Sequence, residues 1–285
     1  MKKFLVVTNQ TKDPDGSRTE KVIRILEKNG CTCTADIYTK ENSKGRYFLV
    51  DPKDVPEDTE GVLILGGDVT FLHAAKDLLD LNLPVVGIYF GTLGFLTEID
   101  PGDFEEALRV MIADKYNIEE RMLLEGEIIK EGRAVYKDLA LNDIVLNRSS
   151  TLSLIQFDVS VNGQLLNSYN ADGMVISTPT GSTGYNLSAG GPVAQPTAEI
   201  ILATPICAHA LNSRSMVFSA DVEIGLKVCE RVGGRSQKKI VSFDGEHDIP
   251  LDNGDMVKIK KAGRSAKLIK INDLSFIENI SKNMR

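Results

Sequence analysis

Tryptophan is absent from this chain of 285 residues, and that absence excludes nothing. Other scarcities say more. The four cysteines, Cys31, Cys33, Cys207 and Cys229, are too few for a disulfide scaffold and lack zinc-finger spacing. They read as free thiols of a cytoplasmic protein. No apolar run approaches the roughly 20 residues of a membrane span. The first residues, Met1 to Thr8, hold too short an apolar core for a signal peptide and read as a strand. Positive charge is not in excess: the formal net charge is -7, so no general affinity for nucleic acid or an anionic membrane is expected. What the chain does have is 42% hydrophobic residues, enough core for one large domain or two ordinary ones.

The first third alternates strand and helix. Residues 3–8 predict a strand. Residues 18–29 predict a helix, with Val22, Ile25 and Leu26 on one stripe and Gly30 as a stop. Cys31 to Tyr38 predicts a second strand, and Pro52 and Pro56 fall in a predicted loop. Val62-Leu63-Ile64-Leu65 reads as a buried strand, Phe71 to Leu79 as a helix, Leu83 to Tyr89 as a strand, and residues 103–113 as an amphipathic helix. This rhythm predicts an α/β domain, residues 1–118, with a parallel sheet and helices on both faces. Beyond it, short alternating runs take over: Met122 to Ile129, Ala134 to Leu139, Ile144 to Asn147, Leu152 to Val161 and Met174 to Ser177, then Val222 to Cys229, Lys239 to Phe243 and Met256 to Lys260. Asn162-Gly163 is a hairpin signal, and residues 252–255 form another turn. A second, β-rich domain is expected over residues 119–265. Ser275 to Ile280 predicts a short helix.

Two stretches carry chemistry. Gly66-Gly67-Asp68-Val69-Thr70 joins the buried strand to its helix. Glycines allow a sharp turn and a close backbone approach, and free N–H groups at a helix start attract phosphate. A carboxylate repels phosphate, so Asp68 makes chemical sense as a base that takes a proton from a hydroxyl about to be phosphorylated. It reads equally well as a helix N-cap. Gly91 to Leu96 brings a second glycine loop to the same strand edge, where Phe95 either stacks on a flat ligand or fills the core.

The other stretch runs from Ala171 to Pro192. A strand enters a loop in which Thr178, Thr180, Ser182, Thr183 and Ser188 offer short hydroxyls among glycines, with Tyr185 as an aromatic. Such groups suit phosphates, sugar hydroxyls or ring nitrogens, or a structural turn. Asn142-Asp143 lies between apolar neighbours, where a carboxylate is costly unless paired or at an edge, or else it forms a simple turn.

Together these stretches resemble the NAD kinase family. The resemblance rests on Gly66 to Thr70 (family pattern Gly-Gly-Asp-Gly-Thr), Gly91 to Leu96, Asn142-Asp143, Asp172 to Pro192, Pro205 to His209 and Asp244-Gly245-Glu246. It implies ATP-dependent phosphorylation of the adenosine 2′-hydroxyl of NAD to give NADP. It also implies a C-terminal tail, residues 266–285, that packs back on the first domain, NAD held between the domains, and a homodimer or homotetramer. Asp68 would be the catalytic base. Gly67, Val69 and Thr70 would line the donor phosphates, with His73 one turn further on. Asn142 and Asp143 would bind sugar and base groups, Asp172 the nicotinamide end, and Thr183, Gly184, Tyr185 and Ser188 the adenine. Phe95, Asn170 and Glu246 complete the nucleotide-binding residues. Mg²⁺ or another divalent metal would arrive with ATP rather than in a protein cage.

Three positions depart from the family pattern. Val69 replaces a glycine, Tyr89 an asparagine, and Glu246 a glutamine. A β-branched residue resists positive φ and adds bulk where phosphate should approach. The competing reading is therefore an NAD(P)-binding regulator weakened in phosphoryl transfer by Val69. A kinase for a lipid hydroxyl is a third, which the polar loop disfavours.

Overall fold

The computed structural model describes residues 1–38, 49–89, 94–96, 99, 102–149, 154–209, 213–230, 238–271 and 276–283. It divides into two compact units, residues 1–120 with 266–285, and residues 121–265.

The first unit begins with β1 (Lys3–Asn9), α1 (Ser17–Lys28), β2 (Thr32–Tyr38), β3 (Gly61–Gly66), α2 (Asp68–Asp77), β4 (Val85–Tyr89) and α3 (Phe104–Ile112). The strands lie in the order β2-β1-β3-β4, every adjacent pair parallel. Every residue of β3 and β4 is buried, which explains their unbroken apolar sequence: a parallel strand covered on both faces has no solvent side to alternate with. Val22 and Leu26 of α1 and Leu108 and Met111 of α3 pack with Phe4, Val6, Leu63 and Leu65. The chain moves from β1 to β2 on one side and returns to β3 on the other. The carboxyl ends of β1 and β3 therefore flank a topological switch point, where ligands bind in such sheets. The Gly66-Gly67-Asp68 elbow is at that point. Pro52–Asp54, expected as loop, forms one 3₁₀ turn, with Asp51 accepting the Lys53 N–H.

The second unit is antiparallel. It comprises β5 (Asn117–Lys130), whose first residues precede the unit boundary, β6 (Arg133–Ala140), β7 (Asp143–Arg148), β8 (Ile155–Val161), β9 (Gln164–Ala171), β10 (Gly173–Ser177), the short α4 (Tyr185–Ser188), β11 (Ile200–Ile206), β12 (Met216–Ser219), β13 (Ile224–Cys229), β14 (Lys239–Phe243), β15 (Glu246–Leu251) and β16 (Met256–Lys270). One sheet runs β12-β11-β10-β7-β14-β15. In the other part, β8 pairs with β9 and β13, β13 with β16, and β5 with β6. Ile144, Leu146, Met174, Ile176 and Phe243 of the first meet Phe157, Val159, Leu226 and Val257 in a common core. The last residues of β16 belong to the first unit, where Leu268 pairs in parallel with Val85, and α5 (Phe276–Asn283) ends the described chain.

The α/β front and the antiparallel β-rich rear agree with the reading of the sequence. β16 is longer than the predicted Met256 to Lys260. β11, β12 and β15 are not expected from the sequence pattern, and β9 is signalled only by the Asn162-Gly163 hairpin turn before it. Most of β9 is exposed, so its side chains carry no apolar alternation to reveal it. The Leu152 strand begins at Ile155; residues 151–153, like Gly91, Thr92 and Leu93, lie outside the described residues.

Candidate functional site

In the first unit, β3 stops at Gly66 and α2 starts at Asp68. Gly67 is the N-cap, with extended backbone (φ -106°, ψ -177°). Neither glycine adopts left-handed geometry. Gly66 is needed for packing: a Cβ there would sit 2.7 Å from the Cβ of Thr70. Gly67 faces open space on the side where its Cβ would lie. Asp68 does not cap the helix. Its carboxylate instead accepts the backbone N–H of Phe95 at 2.9 Å and of Leu96 at 3.3 Å. Thr70 is buried and its hydroxyl accepts from Asn9 Nδ2 at 3.2 Å, which ties the carboxyl end of β1 to the helix start. His73 is half-buried one turn on, and Phe95 is half-buried beside the Asp68 carboxylate. Val69 is 68% exposed and helical, so the expected backbone strain is absent and only its bulk distinguishes it from glycine.

In the second unit, β7 starts at Asp143 and β10 ends at Ser177, and the loop after β10 folds over the start of β7. The Asn142 carbonyl accepts from the Thr178 N–H at 2.8 Å and from Ser177 Oγ at 3.1 Å, while Thr178 Oγ1 donates to the Leu141 carbonyl at 2.6 Å. A 3₁₀ turn, Thr180–Thr183, then passes so close that a Cβ on Gly181 would lie 2.2 Å from the Asn142 oxygen. A Cβ on Gly184 would lie 3.7 Å from Asn142 Nδ2 and 4.0 Å from Asp143 Oδ2. Asn142 and Asp143 therefore present their side chains toward Gly184. The Oδ1 of Asn142 is buried and has no hydrogen-bond partner among the described residues, a group to which something else must donate.

Asp143 is buried, and its carboxyl is pushed up to about 7, first by burial and then by the charge of Asp244. Tyr185, 42% exposed, is also raised, by partial burial and then by Cys207, Asp143 and Asp172, while a hydrogen bond to Asn147 acts the other way. Those neighbours place Asp143, Tyr185 and Asp172 in one vicinity. Asp172 is held by Arg148, at 2.6 Å from Nε and 3.1 Å from Nη2. Such a paired carboxylate is fixed in direction.

The hydroxyl-rich stretch is less uniform than its sequence suggests. Thr178, Thr180 and Ser182, expected among the ligand-facing hydroxyls, are buried. Ser182 bonds across the loop with Ala194, and Thr180 Oγ1 accepts from buried Arg121 at 3.2 Å. Thr183, Gly184, Tyr185 and Ser188 remain at least partly exposed. Asn170 lines a cavity of about 350 Å³ with Asn167, Tyr169, His209 and Arg214. Glu246 opens β15 directly after the Asp244-Gly245 turn.

Three residues that organise the site carry no role in the reading of the sequence. Asn186, fully buried, donates to the Ser182 and Pro192 carbonyls and accepts from Thr204 Oγ1 at 2.7 Å. Arg148 pairs with Asp172 across neighbouring strands. Asp244 stands in the sequence only as part of the Asp244-Gly245-Glu246 motif. The available signal for Asn186 is an amide inside a glycine-rich loop, where a side chain with donors and acceptors replaces a backbone ladder.

The N-terminal part of the chain, residues 4–116, matches the model of the ATP-NAD kinase N-terminal domain, and residues 141–271 match that of the ATP-NAD kinase C-terminal domain. The NAD kinase of Lachnospira eligens is 42% identical over 295 residues, covering 100% of both chains. This chain belongs to the NAD kinase family. A second NAD kinase, from Lachnoclostridium phytofermentans, is 40% identical and covers 97% of this chain and 96% of its own. Among solved structures, yeast NADH kinase complexed with NADH superposes with a TM-score of 0.81 at 25% identity, covering 100% of this chain and 87% of that one. An NAD kinase from Archaeoglobus fulgidus in complex with ATP gives a TM-score of 0.76 at 23% identity, covering 99% and 98%.

As an NAD kinase the protein is a phosphotransferase. The N-terminal match carries Asp68 and its elbow; the C-terminal match carries Asn142, Asp143, Asp172 and the Thr183 to Ser188 segment. NAD kinases typically use a divalent metal with ATP. Among the described residues no group of three or more His, Cys, Asp or Glu is placed to hold a metal ion, and no helix is long and apolar enough to cross a membrane.

Proposed function

We propose that this NAD kinase transfers the terminal phosphoryl group of ATP to the adenosine 2′-hydroxyl of NAD, with Asp68 as the base. The observation that carries this reading is the orientation of Asp68. A carboxylate at the first residue of a helix has capping as its ordinary use. This one follows the Gly67 N-cap and is held by the N–H groups of Phe95 and Leu96, as a group needs to be if it must meet a hydroxyl proton in a set direction. In the transfer, the 2′-oxygen forms a bond to phosphorus, the bond to the bridging oxygen of ADP breaks, and the hydroxyl proton passes to Asp68. Gly67, Val69 and Thr70 stand at the start of α2, where unpaired N–H groups and the helix dipole favour phosphate. A divalent metal bound to the phosphates of ATP would offset their charge.

In the second unit, Asn142 and Asp143 take sugar and base groups of NAD, Asp172 takes the nicotinamide end, and Thr183, Gly184, Tyr185 and Ser188 surround the adenine. The buried, unpartnered Asn142 Oδ1 supports this part, since an exocyclic amine or ribose hydroxyl can supply its missing donor. His73, Phe95, Asn170 and Glu246 contribute secondary contacts. A homodimer or homotetramer in the cytoplasm completes the reading.

The test is Asp68→Asn, assayed for NADP formation with ATP and Mg²⁺ while NAD binding is measured separately. Loss of transfer with NAD affinity kept supports the assignment; retained turnover removes Asp68 from the role. A second reading, a nucleotide-binding regulator, is favoured by one observation, the 68% exposed Val69 side chain at the helix start. NAD binding by the unaltered protein without any NADP formed would select it.

A further inference from the structure

The Asp244-Gly245 turn joins β14 to β15, with φ of 55° and 73° at its two central residues. That is the left-handed pair of a type I′ hairpin, for which Asn-Gly and Asp-Gly are the favoured sequences. For the turn alone, asparagine would serve as well as aspartate. The carboxylate does something more. Asp244 is buried, and its two oxygens accept three successive backbone N–H groups: Leu141 at 2.8 Å, Asn142 at 2.7 Å and Asp143 at 3.1 Å. Its own N–H donates to the Asp143 carbonyl at 2.9 Å. From the opposite side, Ser177 and Thr178 hold the carbonyls of Leu141 and Asn142. Both the donors and the acceptors of this three-residue segment are thus occupied, and its side chains leave in fixed directions.

We propose that Asp244 is a positioning residue for NAD: its carboxylate clamps the Leu141–Asp143 backbone and so aims Asn142 and Asp143 at the dinucleotide. The inference rests on the assignment of Asn142 and Asp143 to NAD binding made above. An amide cannot reproduce the clamp. It offers one acceptor oxygen, and its NH₂ would face an N–H donor. Asp244→Asn therefore keeps the turn and breaks the clamp, which separates the two roles.

The experiment compares Asp244→Asn with the unaltered full-length protein for NAD and ATP kinetics, NAD dissociation constant and thermal midpoint. The expected result is a KM and Kd for NAD raised about tenfold or more, with KM for ATP changed less than about twofold and kcat less than about threefold. The melting point should stay within about 5 °C. An unchanged NAD constant overturns the proposal, and so does a parallel loss of NAD affinity, ATP affinity and stability. A variant that fails to fold also leaves one measurement: amide-proton spectra of the unaltered protein. The 141–143 amides should lie downfield and move when carboxylates are protonated, and three ordinary, pH-insensitive shifts would overturn the clamp. If the unaltered protein binds NAD but makes no NADP, the kinase reading fails while the Kd comparison still decides the role of Asp244.

Discussion

A Cβ placed on Gly94 would lie 2.2 Å from the carboxyl group of Asp68. No side chain can occupy that space while Asp68 accepts the N–H groups of Phe95 and Leu96. The glycine is therefore required for the close approach of the Asp68 side chain to the backbone of residues 94–96, not for a left-handed turn.

From that relationship follows a test that leaves Asp68 itself intact. Gly94→Ala should drive the carboxylate off Phe95 and Leu96 and lower kcat by about a hundredfold, the scale of a misplaced catalytic group. NAD affinity, which the proposal assigns chiefly to residues of the second unit, should change less than about threefold. Stopped-assay kinetics with calorimetric NAD binding measures both. Full activity in the alanine variant would mean that the Asp68 direction does not matter.

Asp143 gives a stability prediction with a definite sign. Its carboxyl is raised from an ordinary value of 3.8 to about 7, by burial and by Asp244; Tyr185 is the other titratable group facing it. A raised value means that the folded state holds its proton more tightly than the unfolded chain. The associated stability is complete below the unfolded value and is lost as pH climbs through about 7. A displacement of that size sets an upper scale of about 4 kcal/mol. Asp143→Asn cannot ionise, so denaturant midpoints from pH 5 to 8 should fall more steeply for the unaltered protein than for the variant. Parallel curves would show that Asp143 stays charged.

Asn186 is the internal brace of the loop proposed to surround the adenine. It bonds to Ser182, Pro192 and Thr204, and a Cβ on Gly191 would lie 2.2 Å from its Oδ1. Asn186→Ala removes donors and acceptor together and strands the Thr204 hydroxyl in the core. The cost should be about 2–4 kcal/mol by urea unfolding, with NAD affinity reduced and Asp68 unaffected. Thr204→Val, which removes only one of these bonds, should cost about half as much. Equal stability of Asn186→Ala and the unaltered protein would assign the loop's shape to its backbone alone.

These examples also show what the sequence could reveal. β3 and β4 were legible because parallel strands covered on both faces carry unbroken apolar runs, and β1 because its buried centre, Phe4 to Val7, does the same. The Asn162-Gly163 hairpin was legible from its turn chemistry and has the expected φ of 50° and 78°. The Asp244-Gly245 hairpin uses the same chemistry, yet β15 carries mostly exposed residues and no pattern marks it as a strand. In the candidate site, the dense hydroxyls of Thr178 to Ser188 announced a special segment. Which of them turn inward was illegible, since Ser177, Thr178, Ser182 and Asn186 are buried by contacts with β7, residues 192–194 and Thr204, far from them in the local periodicity. Asp68 was legible as an anomaly, a carboxylate at a glycine turn and helix start that suit phosphate. Which groups hold its carboxylate was illegible, since Phe95 and Leu96 lie nearly thirty residues away.

Val69 supplies the last prediction. It lies in the first turn of α2 with ordinary helical backbone and 68% of its surface exposed, so glycine there would relieve no strain. Val69→Gly should instead weaken the helix slightly, by less than about 1 kcal/mol. Any gain must come from room at the N–H groups proposed to meet the donor phosphates. The expected outcome is turnover raised severalfold at saturating ATP, with the NAD constant unchanged. Turnover equal to that of the unaltered protein would show that a valine side chain at this position leaves donor binding free, and the regulator reading would lose its one support.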